Sequence, residues 1–170
     1  MGLNKETTDN TVQTTRATAL RLLARREHSR LELTIKLRQR KLPDPVIAAV
    51  LDEFEDEGWL SDERFADVYG RQRRDLGYGP LRIRSELQRR GVDHWPPSLA
   101  AMTDQDWAML ATRARAKKFG LEQLAEDWSE KARQARFLAQ RGFGGEHAEQ
   151  ALEATSEEAL VFSGHTRGWL

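Results

Sequence analysis

The sequence predicts an all-α protein made of tandem three-helix repeats in an elongated array. Three observations lead there. The 170 residues are rich in leucine, alanine, glutamate and arginine, with only five prolines and no β-branched runs at strand spacing. A pattern recurs at offsets of 50 and 51 residues: Leu37, Leu87 and Leu138 align, as do Arg40, Arg90 and Arg141, then Leu42, Val92 and Phe143. Charge is also sorted by helix, although the 27 basic and 27 acidic residues cancel.

Residues 1–16, "MGLNKETTDNTVQTTR", are expected to form a disordered tail, because they offer little apolar surface to bury. They also lack the apolar middle of a signal peptide. The first repeat spans 17–58. Its first helix covers 17–27, with Leu20 and Leu23 inward. Ser29 caps the second helix and Glu32 completes a capping box; Leu33 and Leu37 share its buried face. Asp44 is expected to cap the third helix, with Pro45 at its first position. Val46, Ile47, Val50, Leu51 and Phe54 then recur at helical steps until Gly58.

The second repeat spans 59–103. Phe65, Val68, Tyr69 and Leu76 are its expected buried stripe, "GYGP" is a turn, and Pro80 begins the next helix. Pro96 and Pro97 leave a short third helix. The third repeat spans 104–155, with a break at "KFGLEQ" and a last helix after Gly145. Residues 156–170 read as a loosely held tail. A unit of about 50 residues buries little surface alone, so the repeats should stack.

Residues 16–41 carry nine basic and two acidic side chains, and 51–67 carry eight acidic and one basic. Residues 70–91 hold seven arginines and two acids. Such blocks are solvated helix faces in the plain reading, where exposed ion pairs add about 0–1 kcal/mol each. Segregation by whole helices favours a positive stripe that meets phosphate or an acidic partner.

No catalytic constellation is visible. His28, His94, His147 and His165 are scattered, the glycines fit no phosphate-binding loop, and cysteine is absent. No cofactor or metal is expected. No apolar run nears the roughly 20 residues that span a bilayer. Trp59 should plug a junction between repeats and Trp107 should lie in a core; Trp169 offers no reading.

The segments "LLARREHSRLELTIKL", "VLDEFEDEGWLSDERFA", "GYGPLRIRSELQRRGV", "KKFG" and "KARQARFLAQRGF" resemble the RecX family of bacterial recombinase regulators, over about residues 17–153. The resemblance implies a curved array of three-helix repeats. It also implies a cytoplasmic, monomeric, non-enzymatic modulator that binds the RecA nucleoprotein filament in its groove and inhibits ATP hydrolysis, filament extension and strand exchange. Direct contact with DNA phosphates is the second expectation. An alternative is a helical-repeat protein that competes for DNA. Matched positions with basic side chains are the candidate contacts: Arg25, Arg26 and Arg30; Arg71, Arg73 and Arg74; Arg82, Arg84, Arg89 and Arg90; Lys117, Lys118, Arg133, Arg136 and Arg141. About half are expected to touch a partner. Arg73, Arg74, Arg89 and Arg90 are expected to be replaceable without loss of helix, and the acidic residues Asp52, Glu53, Glu55 and Asp56 to matter less.

Overall fold

The computed structural model describes residues 2–157, and these are helical with no strand. The helices are α1 (Gly2–Leu23), α2 (Arg30–Arg38), α3 (Asp44–Asp56), α4 (Asp62–Asp75), α5 (Pro80–Gln88), α6 (Pro97–Ala100), α7 (Asp104–Phe119), α8 (Trp128–Arg141) and α9 (Gly145–Glu153). They fall into three consecutive sets of three, as the sequence repeat predicts. The chain divides into two compact units: Met1–Val68 with Leu87–His94, and Tyr69–Glu86 with Trp95–Leu170. The rest of the expected C-terminal tail, with His165 and Trp169, lies outside the described residues.

In the first unit, α1, α2 and α3 pack on one another. Leu33, Leu37, Ile47, Val50, Leu51 and Phe54 form the core with Ala19 and Leu60. Burying each large apolar side chain stabilises the unit by about 1.5–3 kcal/mol. Ser29 caps α2 by accepting from the Glu32 amide at 3.1 Å. The other half of the expected capping box does not form, because the Glu32 carboxylate turns to Arg26 at 2.9 Å and Arg90 at 3.4 Å. At α3 the cap is Pro43, one residue earlier than expected. Asp44 is thereby released to pair with Arg38 at 2.7 Å.

Two expectations fail in α1 and one in α4. Residues 2–16 are helical rather than a disordered tail. Their threonines are satisfied within the helix: the hydroxyls of Thr11, Thr15 and Thr18 each donate to the carbonyl four residues back, at 2.8 Å. Val12 packs against the core, and Thr15 is buried. The inward face of α1 includes Thr15, Ala19, Leu22 and Leu23, whereas Leu20 is exposed. In α4, Phe65 and Ala66 are buried, but Val68 and Leu76 are exposed and Tyr69 is half-buried. The stripe narrows because Tyr69 turns its hydroxyl to a carboxylate on α5.

The second unit is built on α7, which packs against α9 and α8. Trp107, Ala108 and Ala111 of α7 are buried with Leu138 of α8 and Ala151 of α9. Trp107 is thus a core residue, as expected; Trp59 is instead 45% exposed, its ring 5.3 Å from that of Phe54. Thr103 and Asp106 form a reciprocal capping box at the start of α7. Helix α6 has only four residues, and its Leu99 packs on Gly70, where a Cβ would come within 2.7 Å of the leucine. The turn before α5 meets the end of α8 by backbone. The Gly79 amide donates to the Arg141 carbonyl at 2.8 Å, and the Leu81 amide to Gly142 at 3.0 Å. A Cβ on Gly79 would lie 2.4 Å from the Gly142 carbonyl oxygen.

Candidate partner-binding surface

The charge blocks resolve first into ion pairs within each unit. In the first unit the acids of α3 meet the cations of α1 and α2. Arg16 pairs with Glu53, and Arg30 holds Asp52 at 2.7 Å and Glu55 at 2.5 Å. Asp62 accepts from the Arg30 amide at 2.7 Å, so it also caps α2. Arg26 pairs with Glu32, whereas Arg25 is exposed. The Arg90 carbonyl accepts from the Ser29 hydroxyl at 2.7 Å. That bond uses the Arg90 backbone, whereas its side chain, expected to be replaceable without loss of helix, lies 3.4 Å from the Glu32 carboxylate within the same unit. Arg89 is exposed. Burial pushes the His28 imidazole below its ordinary range, and its Nδ1 lies 3.0 Å from the Arg26 carbonyl oxygen.

The second unit contains a more concentrated arrangement. Glu86 on α5 is 7% exposed. Its carboxylate accepts from Arg73 Nε and Nη2 at 2.6 and 2.7 Å, from the Tyr69 hydroxyl at 2.7 Å and from Arg82 Nε at 3.0 Å. Burial alone would raise the Glu86 pKa, but these donors outweigh it and hold the group at about 2. The Arg73 guanidinium is raised in turn by its bond to Glu86. Three guanidinium groups converge on the Tyr78 ring: Arg73 at 4.1 Å, Arg82 at 4.5 Å and Arg141 at 4.8 Å from its centroid. Arg82 also donates to the Gln140 carbonyl at 2.9 Å, and Arg141 to Leu76 at 3.0 Å. Arg73, Arg82 and Arg141 therefore brace the "GYGP" turn against α8. Arg73, expected to be replaceable without loss of helix, thus makes contacts within its own unit that reversal to glutamate would remove.

Beside this brace lies a cleft of about 570 Å³. Arg74, Arg113, Lys117, Lys118 and Arg141 line it, and Asp75 is its one carboxylate. Leu76, Leu110 and Phe137 are the large apolar side chains of its lining. Lys118 Nζ sits 4.5 Å from the Phe137 ring centroid. Arg74 pairs with Asp75 at 2.7 Å and Arg113 with Glu157 at 3.2 Å, whereas Lys117 is exposed. The cleft thus combines cationic and apolar lining, a combination that accepts an anion attached to an apolar body.

The remaining candidates are dispersed over the second unit. Arg71 and Arg136 are exposed. Arg84 lies 4.6 Å over the Trp95 ring. Arg133 pairs with Glu130 at 2.7 Å, and that bond first of all holds the Glu130 carboxyl at about 2. Among the described residues, no three His, Asp or Glu side chains gather as a metal site, and no helix is long and apolar enough to cross a membrane.

Four residues with structural roles were not singled out in the sequence: Tyr78, Glu86, Arg115 and Gln134. Arg115 is fully buried. Its Nε donates to Gln134 at 2.7 Å, and its Nη atoms to the carbonyls of Ala151, Ala154 and Glu122 at 2.8–2.9 Å. The signal was present: 108, 111 and 115 lie at helical spacing, but the charge within "RARAKK" reads as a solvated run.

Comparison with known proteins gives consistent matches. Family models described as the first, second and third three-helix domains of RecX match residues 16–54, 61–94 and 104–152. Regulatory protein RecX of Pseudomonas entomophila strain L48 is 46% identical over 132 residues, covering 77% of this chain and 84% of that protein. The protein of the same name from Halorhodospira halophila is 40% identical over 144 residues, covering 84% and 89%. A crystal structure of RecX from Lactobacillus salivarius superposes with a TM-score of 0.70 at 19% identity, over 86% of this chain and 97% of that one. A second RecX crystal structure gives 0.74 at 19% identity, over 87% and 76%. These two support the fold.

Proposed function

The chain belongs to the RecX family, and on that footing we propose that it is a non-enzymatic regulator of the RecA recombinase. It binds the RecA nucleoprotein filament and inhibits ATP hydrolysis, filament extension and strand exchange, in the cytoplasm, during recombination, DNA repair and the SOS response. The observation that carries the reading is the match of all three RecX domains, in order, across residues 16–152.

The expected contacts are the exposed cations and those of the cleft. Arg25, Arg71, Arg89, Lys117 and Arg136 are exposed, and the lining of the cationic cleft adds Arg74 and Lys118. Arg73, Arg82 and Arg90 serve chiefly as internal supports. A monomer that contacts successive RecA subunits opposes the subunit movements that couple ATP turnover to strand exchange. Charge-led association of this kind weakens as salt rises.

The test is ATP hydrolysis by RecA on single-stranded DNA with increasing amounts of this protein. Turnover is expected to fall at or below one modulator per RecA. Unchanged turnover, with binding to the filament verified, refutes the reading and leaves competition for DNA. Binding to RecA in the absence of DNA separates the two directly, since a competitor for DNA shows none.

A further inference from the structure

The cationic cleft of the second unit has the chemistry of a seat for an acidic peptide. Its lining sets five cations against one carboxylate, with Leu110 and Phe137 beside them. Two of the cations are engaged by their own unit: Arg74 by Asp75, and Arg141 by the Leu76 carbonyl and the Tyr78 ring. The other three come from α7. Arg113 already holds a carboxylate carried by non-helical chain, that of Glu157 at 3.2 Å. Lys117 and Lys118 are exposed.

The spacing of these groups fits an extended chain. Arg113 and Lys117 share a face of α7 one turn apart, which places them about 6 Å apart along the helix axis. Side chains two residues apart in an extended peptide point the same way at a spacing of about 6.6 Å, so carboxylates at alternate positions meet both cations. Lys118, at the Lys117 end, lies 4.5 Å from the Phe137 ring centroid, so the next side chain of that row falls near Phe137. Nucleic acid fits less well. The Phe137 ring is already engaged by Lys118, by Arg141 at 5.3 Å and by the edge-on Phe119 ring at 5.2 Å, which leaves a poor platform for a stacked base. Asp75 in the lining repels consecutive phosphates but tolerates the uncharged residues between alternate carboxylates.

We propose that this cleft docks an extended acidic peptide, with carboxylates at alternate positions on Arg113 and Lys117 and one large apolar side chain against Phe137. The inference deepens the reading given above, because Lys117 and Lys118 are among the cations assigned there to the partner, and it names the chemistry that they meet.

The test is fluorescence anisotropy with the full-length protein and three labelled probes: the peptide amide Asp-Ser-Glu-Ser-Phe, the same peptide with serine in place of phenylalanine, and a thymidine trinucleotide with two phosphates. The first peptide is expected to bind about fivefold or more tightly than either of the others. Lys117→Glu with Lys118→Glu should weaken it about tenfold or more, whereas Arg21→Glu with Arg40→Glu, exposed cations of the first unit, should change it less than about twofold. Circular dichroism verifies the fold of each variant, and the comparison of probes needs no variant. The proposal is overturned by no binding of the first peptide, by equal binding of the serine peptide, by equal or tighter binding of the trinucleotide, or by indifference to the lysine reversal. RecA is absent from the assay, so these outcomes leave inhibition of its ATP hydrolysis to be judged separately.

Discussion

Glu86→Gln isolates the brace around Tyr78. The substitution keeps the size of the side chain and one acceptor, but removes the charge that faces Arg73 and Arg82. Three bonds from guanidinium groups to a carboxylate are then replaced by, at best, two bonds to a neutral oxygen, while the new amide nitrogen points its hydrogens at a cation. Losing one charge-assisted bond outright at about 1.5 kcal/mol, and the charge assistance of the other two at about 0.75 kcal/mol each, gives about 3 kcal/mol. A carboxyl held at about 2 rather than the ordinary 4.5 corresponds independently to about 3 kcal/mol of native-state stabilisation. For a chain of this length that loss lowers the thermal midpoint by about 6–12 °C, read by circular dichroism at pH 7. The sign of the pH dependence follows from a depressed carboxyl. The contribution is whole above pH 4.5 and is lost as pH falls from there through about 2. The gap between wild type and variant should therefore be widest at neutral pH and shrink to less than half by about pH 3. A shift under 2 °C at pH 7, or a gap unchanged at pH 3, would refute the reasoning.

Gly142→Ala puts a Cβ 2.3 Å from that of Arg82 at a φ of +92°; a loss of about 2–4 kcal/mol is expected in urea unfolding, and a loss below 1 kcal/mol contradicts the close crossing. Arg115→Ala strips a donor from three carbonyls and from Gln134 at once; about 3–5 kcal/mol should be lost, and Arg115→Met should not restore it, since the deficit is in hydrogen bonds rather than volume. Charge reversal at Lys117 and Arg136 together should leave helical content unchanged, weaken filament binding about tenfold or more and flatten its salt dependence. Equal inhibition of RecA by that variant across several salt concentrations would remove these cations from the contact surface.

Much of this architecture is readable before any coordinates, and the reasons are local. Apolar residues at helical steps, as in Val46 to Phe54, and stop signals at Gly58 and Pro96 act within a few residues of themselves. What sequence alone missed depends on partners far along the chain. Arg73 and Arg90 look like surface cations until Glu86 and Glu32 are placed beside them. Arg115 shares a face with Ala108 and Ala111, but the carbonyls that make its burial tolerable come from Ala151 and Ala154. The N-terminal helix was hidden for another reason. Its threonines have poor helix propensity, and the packing of Val12, Thr15 and Ala19 within the first unit holds a polar helix there. The acidic α3 misled in the same way, because a block of carboxylates gives no hint that Arg16 and Arg30 will answer it.

The two compact units also bear on how the protein is made. Leu87–His94 belongs with the first unit and Tyr69–Glu86 with the second, so the middle repeat is shared between them. A ribosome delivers residues in order. When the second repeat has just emerged, at Ala101, the first unit has its whole sequence, including the Arg90 carbonyl that Ser29 requires. Tyr69–Glu86 must still wait for Arg141 and Gly142, whose carbonyls receive the amides of Gly79 and Leu81. The unit that recurs in the sequence is therefore not the compact unit of the fold. A chain cut at a repeat boundary retains the "GYGP" turn but not its seat, and exchanging whole repeats between relatives exchanges halves of two different structures.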